Sequence, residues 1–165
     1  AIGSPSVWRT ARCAMPEPRV MGIAVSSARI SYVMFIDDVL IDWGVSASAA
    51  KHSTKAAAKT RELIDLHKPH AVVTELAGSN KRKRGKTFHL MKAVIRAVEF
   101  SDVTSVTTTR RRNYKNKYQE AQAFAREFPD LAPRLAKRRK VWLSEPRRMF
   151  LFEALALALR LRETQ

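Results

Sequence analysis

Cysteine occurs once in the 165 residues, at Cys13. A single thiol excludes an internal disulfide and a cysteine-built metal cluster, and the scarcity fits a reducing compartment. No apolar run approaches the length that crosses a bilayer, so the sequence predicts a soluble protein without a membrane partner. Acids are also scarce beside bases. Fifteen Asp and Glu against thirty-one Lys and Arg leave a formal charge of +16, a field that attracts polyanions and raises their encounter rate. DNA or RNA is the leading partner, ahead of an anionic membrane surface or plain surface charge. The expected location is intracellular, with nucleic acid.

An apolar content of 45% over this length fits one ordinary domain with a real core. Residues 1–19 stand apart: they carry three prolines and no sustained periodicity. They read as a flexible arm or an added remnant, with Met15 a candidate true start, and the domain is placed over residues 20–165. From Val20 the runs VMGIAV, ISYVMFI and VLIDWGV predict an antiparallel meander with turns near residues 26–29 and at Asp37 and Asp38. Ser26 and Ser27 are small enough for a tight turn. Asp37 and Asp38 read as turn formers rather than metal ligands.

Residues 46–67 predict a helix, ended by Pro69, with His52 and His67 on its surface. AVVTELA, residues 71–77, then reads as a buried parallel strand with one carboxylate, Glu75, near its C-terminal end. Ligands of open α/β sheets collect at such strand ends, which makes Glu75 a candidate for chemistry. An edge-strand acid facing solvent is the plainer alternative. GSNKRKRGK follows, and its Lys81, Arg82, Lys83, Arg84 and Lys86 are candidate contacts to a phosphate backbone. A nuclear localisation signal has the same composition.

Residues 87–100 have Leu90, Met91, Val94, Ile95 and Val98 at helical spacing, with Thr87 placed to cap. A β-branched strand over residues 103–109 comes next. The segment RRRNYKNKY then interleaves Arg110, Arg111, Arg112, Lys115 and Lys117 with Tyr114 and Tyr118. Bases hold phosphates and tyrosines stack on exposed bases, so this is the strongest compositional sign of nucleic acid. A solvated helix start with inward tyrosines is the alternative. The last helix, predicted over residues 147–160, sets Glu153 in an otherwise apolar segment with Phe150, Ala154, Leu157 and Ala158 toward the sheet. An inward-facing Glu153 needs a cation, a base or a divalent metal beside it.

In order and spacing of elements the chain resembles, over residues 19–160, the RuvC-type Holliday-junction resolvases of the ribonuclease-H-like superfamily. VMGIAVSS resembles their first strand, AVVTELA the strand with the second acid, and FEALALAL the final helix. The basic run from Arg110 falls where the family has its basic region after the fifth strand. The resemblance implies an α/β, ribonuclease-H-like fold, a mixed five-stranded sheet with helices on both faces. It also implies a homodimer acting on branched DNA, cleaving phosphodiesters with two Mg²⁺ or Mn²⁺ ions. Glu75 and Glu153 are then the catalytic and metal-binding carboxylates, and Lys115 or Lys117 the catalytic cation at the scissile phosphate.

Two positions depart from that pattern. Ala24 stands where the family has its first-strand Asp, and Phe150 where many members have a further acid. Alanine cannot ligate through its side chain, so cleavage is expected to be severely weakened. Three explanations are open: an engineered inactivating substitution, a natural pseudo-enzyme that binds junctions or RNA within a ribonucleoprotein, or a rearranged site that recruits Glu145 or Asp42.

Overall fold

Strands β1 (Arg19–Val25), β2 (Ile30–Ile36) and β3 (Val39–Ser46) form the predicted meander in a computed structural model that describes residues 18–78, 83–109, 117–134 and 150–163. The β1–β2 pairing runs from Arg19 opposite Ile36 to Val25 opposite Ile30. Its turn closes without glycine because Ser26 takes both roles: its N–H donates to the Arg29 carbonyl at 2.8 Å, and its Oγ accepts the Arg29 N–H at 3.0 Å. In the next turn Asp37 adopts a φ of 55°, a left-handed conformation that Asp tolerates better than most residues.

The first helix starts later than its periodicity predicts. Strand β3 continues to Ser46, whose Oγ accepts the Ala49 N–H at 3.3 Å and starts a short 3-10 turn, Ser48–Ala50. Helix α1 follows over Ser53–His67 and buries Ala56, Thr60, Leu63 and Ile64. It ends on a left-handed Lys68, whose N–H bonds to the Ile64 carbonyl before Pro69.

Strand β4 (Ala71–Glu75) lies parallel to β1, from Val20 beside Ala71 to Ile23 beside Thr74. Helix α2 (Lys86–Glu99) carries the chain to β5 (Thr104–Thr108), which pairs parallel with β4 and sets Thr108 beside Glu75. The α2 entrance is not the Thr87 cap the sequence suggests: Gly85 holds that place with a φ of 59°, and Thr87 is buried instead. The sheet order is β3-β2-β1-β4-β5.

Helix α3 (Lys117–Glu127), a 3-10 turn over Pro129–Arg134 and helix α4 (Phe150–Glu163) complete the described elements. One sheet face is covered by α1 and α2, through Leu63, Leu90, Met91 and Val94 against Met21, Ile23 and Val72. The other is covered by α4, whose Leu151, Phe152, Ala154, Leu155, Leu157 and Ala158 are all buried. A helix apolar nearly all round is a core helix. The observed architecture is the mixed five-stranded sheet, helices on both faces, that the resemblance implies.

Candidate active site

Side chains alternate across a strand, so Val20, Gly22 and Ala24 of β1 face α4, as do Val73 and Glu75 of β4. Ala24 and Glu75 each follow the last paired residues, Ile23 and Thr74, on neighbouring strands. They therefore sit side by side at the C-terminal ends of the two central parallel strands. Helix α4 comes down onto this place because Gly22 has no side chain. A Cβ there would lie 2.5 Å from the Ala154 carbonyl oxygen and 2.9 Å from the Ala158 Cβ. That contact seats the α4 segment next to Glu153.

The two acids converge on one cation. Lys83 Nζ donates to Glu75 Oε2 at 2.9 Å and to Glu153 Oε2 at 3.2 Å. Glu75 is 4% exposed, Lys83 13% and Glu153 18%. Buried carboxylates need such a partner, since leaving an ion unpaired in a poorly solvated place is costly. Glu75 thus faces the α4 side of the sheet, not solvent at an edge, and Glu153 has the cationic neighbour its inward position demands.

Lys83 is the residue whose place the sequence did not reveal. It belongs to a run of five bases expected on a phosphate backbone, yet its ammonium sits between two acids. Arg84 and Lys86 from the same run are exposed. Lys117 and Tyr118 begin the backbone of α3. Their side chains, and Lys81, Arg82, Arg110, Arg111, Arg112, Tyr114, Lys115 and Glu145, lie outside the described residues. The basic run starts two positions after Thr108, the strand partner of Glu75. Glu120 on α3, not singled out from the sequence, is also buried.

Asp42 does not join this centre. It lies opposite Met34 on the face covered by α1 and α2, where the Tyr32 hydroxyl donates to its Oδ2 at 2.9 Å. His67 Nε2 lies 3.0 Å from the same oxygen. His67, expected on the surface, is mostly enclosed, its ring 5.7 Å from that of Tyr32. Gly44 accommodates the tyrosine: a Cβ there would lie 2.8 Å from Tyr32 Cε1. Burial, then the hydrogen bond from Tyr32 to Asp42 and the charge on Asp42, push the phenol up to about 12. The group ties α1 to β2 and β3, a structural role.

No family model matches the chain, and no curated protein matches its sequence. Among solved structures it is similar to Thermus thermophilus RuvC, with a TM-score of 0.54 and 17% identity over 86% of this chain and 91% of that one. It is similar to T. thermophilus RuvC in complex with a Holliday junction substrate, with a TM-score of 0.53 and 16% identity over 86% of this chain and 90% of that one. Fowlpox virus resolvase in complex with substrate Holliday junction DNA gives a TM-score of 0.59 and 13% identity over 88% and 97%. At these identities the likeness establishes the fold, shared with Holliday-junction resolvases.

The metal cluster that the resemblance implies does not fit the residues that the structure describes. Ala24 offers a methyl group beside Glu75, and Lys83 places a positive charge on the carboxylate oxygens that would ligate a cation. Among the described residues, no three of His, Cys, Asp and Glu come together as a cation site.

Proposed function

We propose that this chain binds branched DNA, four-way junctions above all, on a resolvase scaffold whose cleavage centre is incomplete in the present sequence. The observation that carries this reading is the meeting of Glu75 and Glu153, seventy-eight positions apart in sequence, at the end of β4 beside Ala24. Apolar strands and helices have no use for two converging acids in packing alone. The net charge of +16 supports a polyanionic partner, and Lys81, Arg82, Arg84, Lys86 and Arg110–Arg112 supply its backbone contacts, with Tyr114 and Tyr118 available for stacking. Lys115 or Lys117 is the cation assigned to the phosphate nearest the acids. Two copies of the chain place two such centres on opposing strands of one junction, and selectivity comes from that spacing and from junction deformability.

The convergence of the acids also favours a second reading, an endonuclease lacking one carboxylate. An Asp at position 24 would stand beside Glu75 and complete a set of three for Mg²⁺ or Mn²⁺. The test compares the chain with its Ala24→Asp variant on a labelled four-way junction with Mg²⁺, alongside binding to junction, duplex and structured RNA at several salt concentrations. The expected result is salt-sensitive preference for the junction without cleavage by the chain as it stands. Cleavage by the variant alone supports the endonuclease reading. Equal binding to junction and duplex, or stronger binding to RNA, overturns the branched-DNA assignment.

A further inference from the structure

We infer that Lys83 is a built-in counter-ion that holds the Glu75–Glu153 centre closed to divalent metal, so that the ammonium and a metal ion are mutually exclusive occupants. The same oxygen of each acid, Oε2, accepts from Lys83 at 2.9 and 3.2 Å. A magnesium or manganese ion would bind those oxygens at about 2 Å, with its own double charge set against the ammonium. All three side chains are largely withdrawn from water, where opposite charges are poorly screened and like charges repel strongly. The lysine therefore answers the charge of the acids in the way a metal otherwise would. It comes from the segment immediately after β4, so the device is local to the strand that carries Glu75. This inference concerns the protein free of DNA and holds or fails independently of which nucleic acid it binds.

Mn²⁺ is the probe, titrated into the full chain and followed by the paramagnetic resonance signal of the free ion. The chain itself is expected to show at most a weak Mn²⁺ site that Glu75→Gln removes. Lys83→Met is expected to bind there at least about tenfold tighter, the factor for a centre open about a tenth of the time or less in the parent. Lys83→Met/Glu75→Gln loses the site. A Glu75-dependent site of equal affinity in the unaltered chain overturns the inference, and so does a folded Lys83→Met variant that gains no site.

A measurement on the unaltered chain decides the matter if Lys83→Met does not fold. Acylation of lysines, mapped by mass spectrometry, is expected to modify Lys83 at least about tenfold more slowly than exposed Lys86, because a protected group reacts only through its open population. Lys83 reacting as fast as Lys86 overturns the inference.

Discussion

Gly22 on β1 lies so close beneath Ala154 on α4 that an added Cβ would stand 2.5 Å from the Ala154 carbonyl oxygen. The obstacle is backbone, so no side-chain rotation relieves it. Gly22→Ala is expected to push α4 off the sheet and destabilise the fold by about 1–3 kcal/mol, the usual cost of overpacking. For a chain of this size that lowers Tm by about 2–4 °C for each kcal/mol. Glu153 moves with the helix, so the variant should also weaken the Lys83–Glu153 contact more than the Lys83–Glu75 contact, which differential scanning calorimetry combined with Glu153→Gln resolves.

The acid–lysine centre is expected to behave as one energetic unit. Removing the cation in Lys83→Met leaves two neighbouring carboxylates in a poorly solvated place, and breaking such a pair costs on the order of 3 kcal/mol. Glu75→Gln made in the same chain removes one of the stranded charges. The double variant is therefore expected to be more stable than the sum of the two single losses predicts, by about 0.5–3 kcal/mol. Urea denaturation at neutral pH of the four proteins of this cycle measures the difference, and additive losses would mean that the two groups do not share the contact.

Much of this architecture was legible in the sequence because local patterns specify it. The three β runs, the apolar strand ending in Glu75 and the apolar helix holding Glu153 each stand out, and an isolated acid in an apolar segment marks itself. Lys83 did not, since nothing in a run of five bases distinguishes the one whose partner lies 70 residues away. His67 was equally opaque: its neighbour Asp42 arrives from β3, and only the packing of α1 on the meander brings them within 3.0 Å. The start of α1 was misplaced because residues 46–52 have helical composition, while pairing with β2 holds β3 extended as far as Ser46 opposite Ile30. Tertiary contact overrode local propensity there.

Tyr32 provides a reporter for the other side of the sheet. Its phenol is raised from 10.0 to about 12, first by burial and then by the hydrogen bond to Asp42. A folded-state value above the unfolded one means that this stabilisation is complete below pH 10 and is lost as the pH climbs through about 12. Ultraviolet titration of the three tyrosines is expected to show one late component, absent from Tyr32→Phe. The same variant should lose less stability than the parent between pH 10 and 12, measured by denaturant midpoints across that interval.

Affinity for DNA is expected to rest on ion release. Each phosphate neutralised contributes about 0.9 to the slope of log affinity against log salt on duplex arms. Replacing Arg110, Arg111 and Arg112 together by Ala should reduce that slope by about 2–3 if all three reach phosphates. Filter binding to a four-way junction at graded salt gives the slopes, and an unchanged slope would remove the run from the interface.

Restored cleavage is expected to be faster with two changes than with one. Ala24→Asp adds a carboxylate beside Glu75, but Lys83 still lies on the oxygens of Glu75 and Glu153, and the new acid gives the ammonium a third negative neighbour. Ala24→Asp/Lys83→Met supplies the carboxylate and removes the competing charge together. The double variant is expected to cut a labelled junction with Mg²⁺ at least about tenfold faster than Ala24→Asp, the same competition factor as for metal binding. Lys83→Met alone should bind the junction without cutting it, since the third carboxylate is still missing. Equal rates for Ala24→Asp and the double variant would mean that DNA binding itself draws Lys83 away from the acids, and metal titration of Ala24→Asp with and without junction DNA then measures that displacement directly.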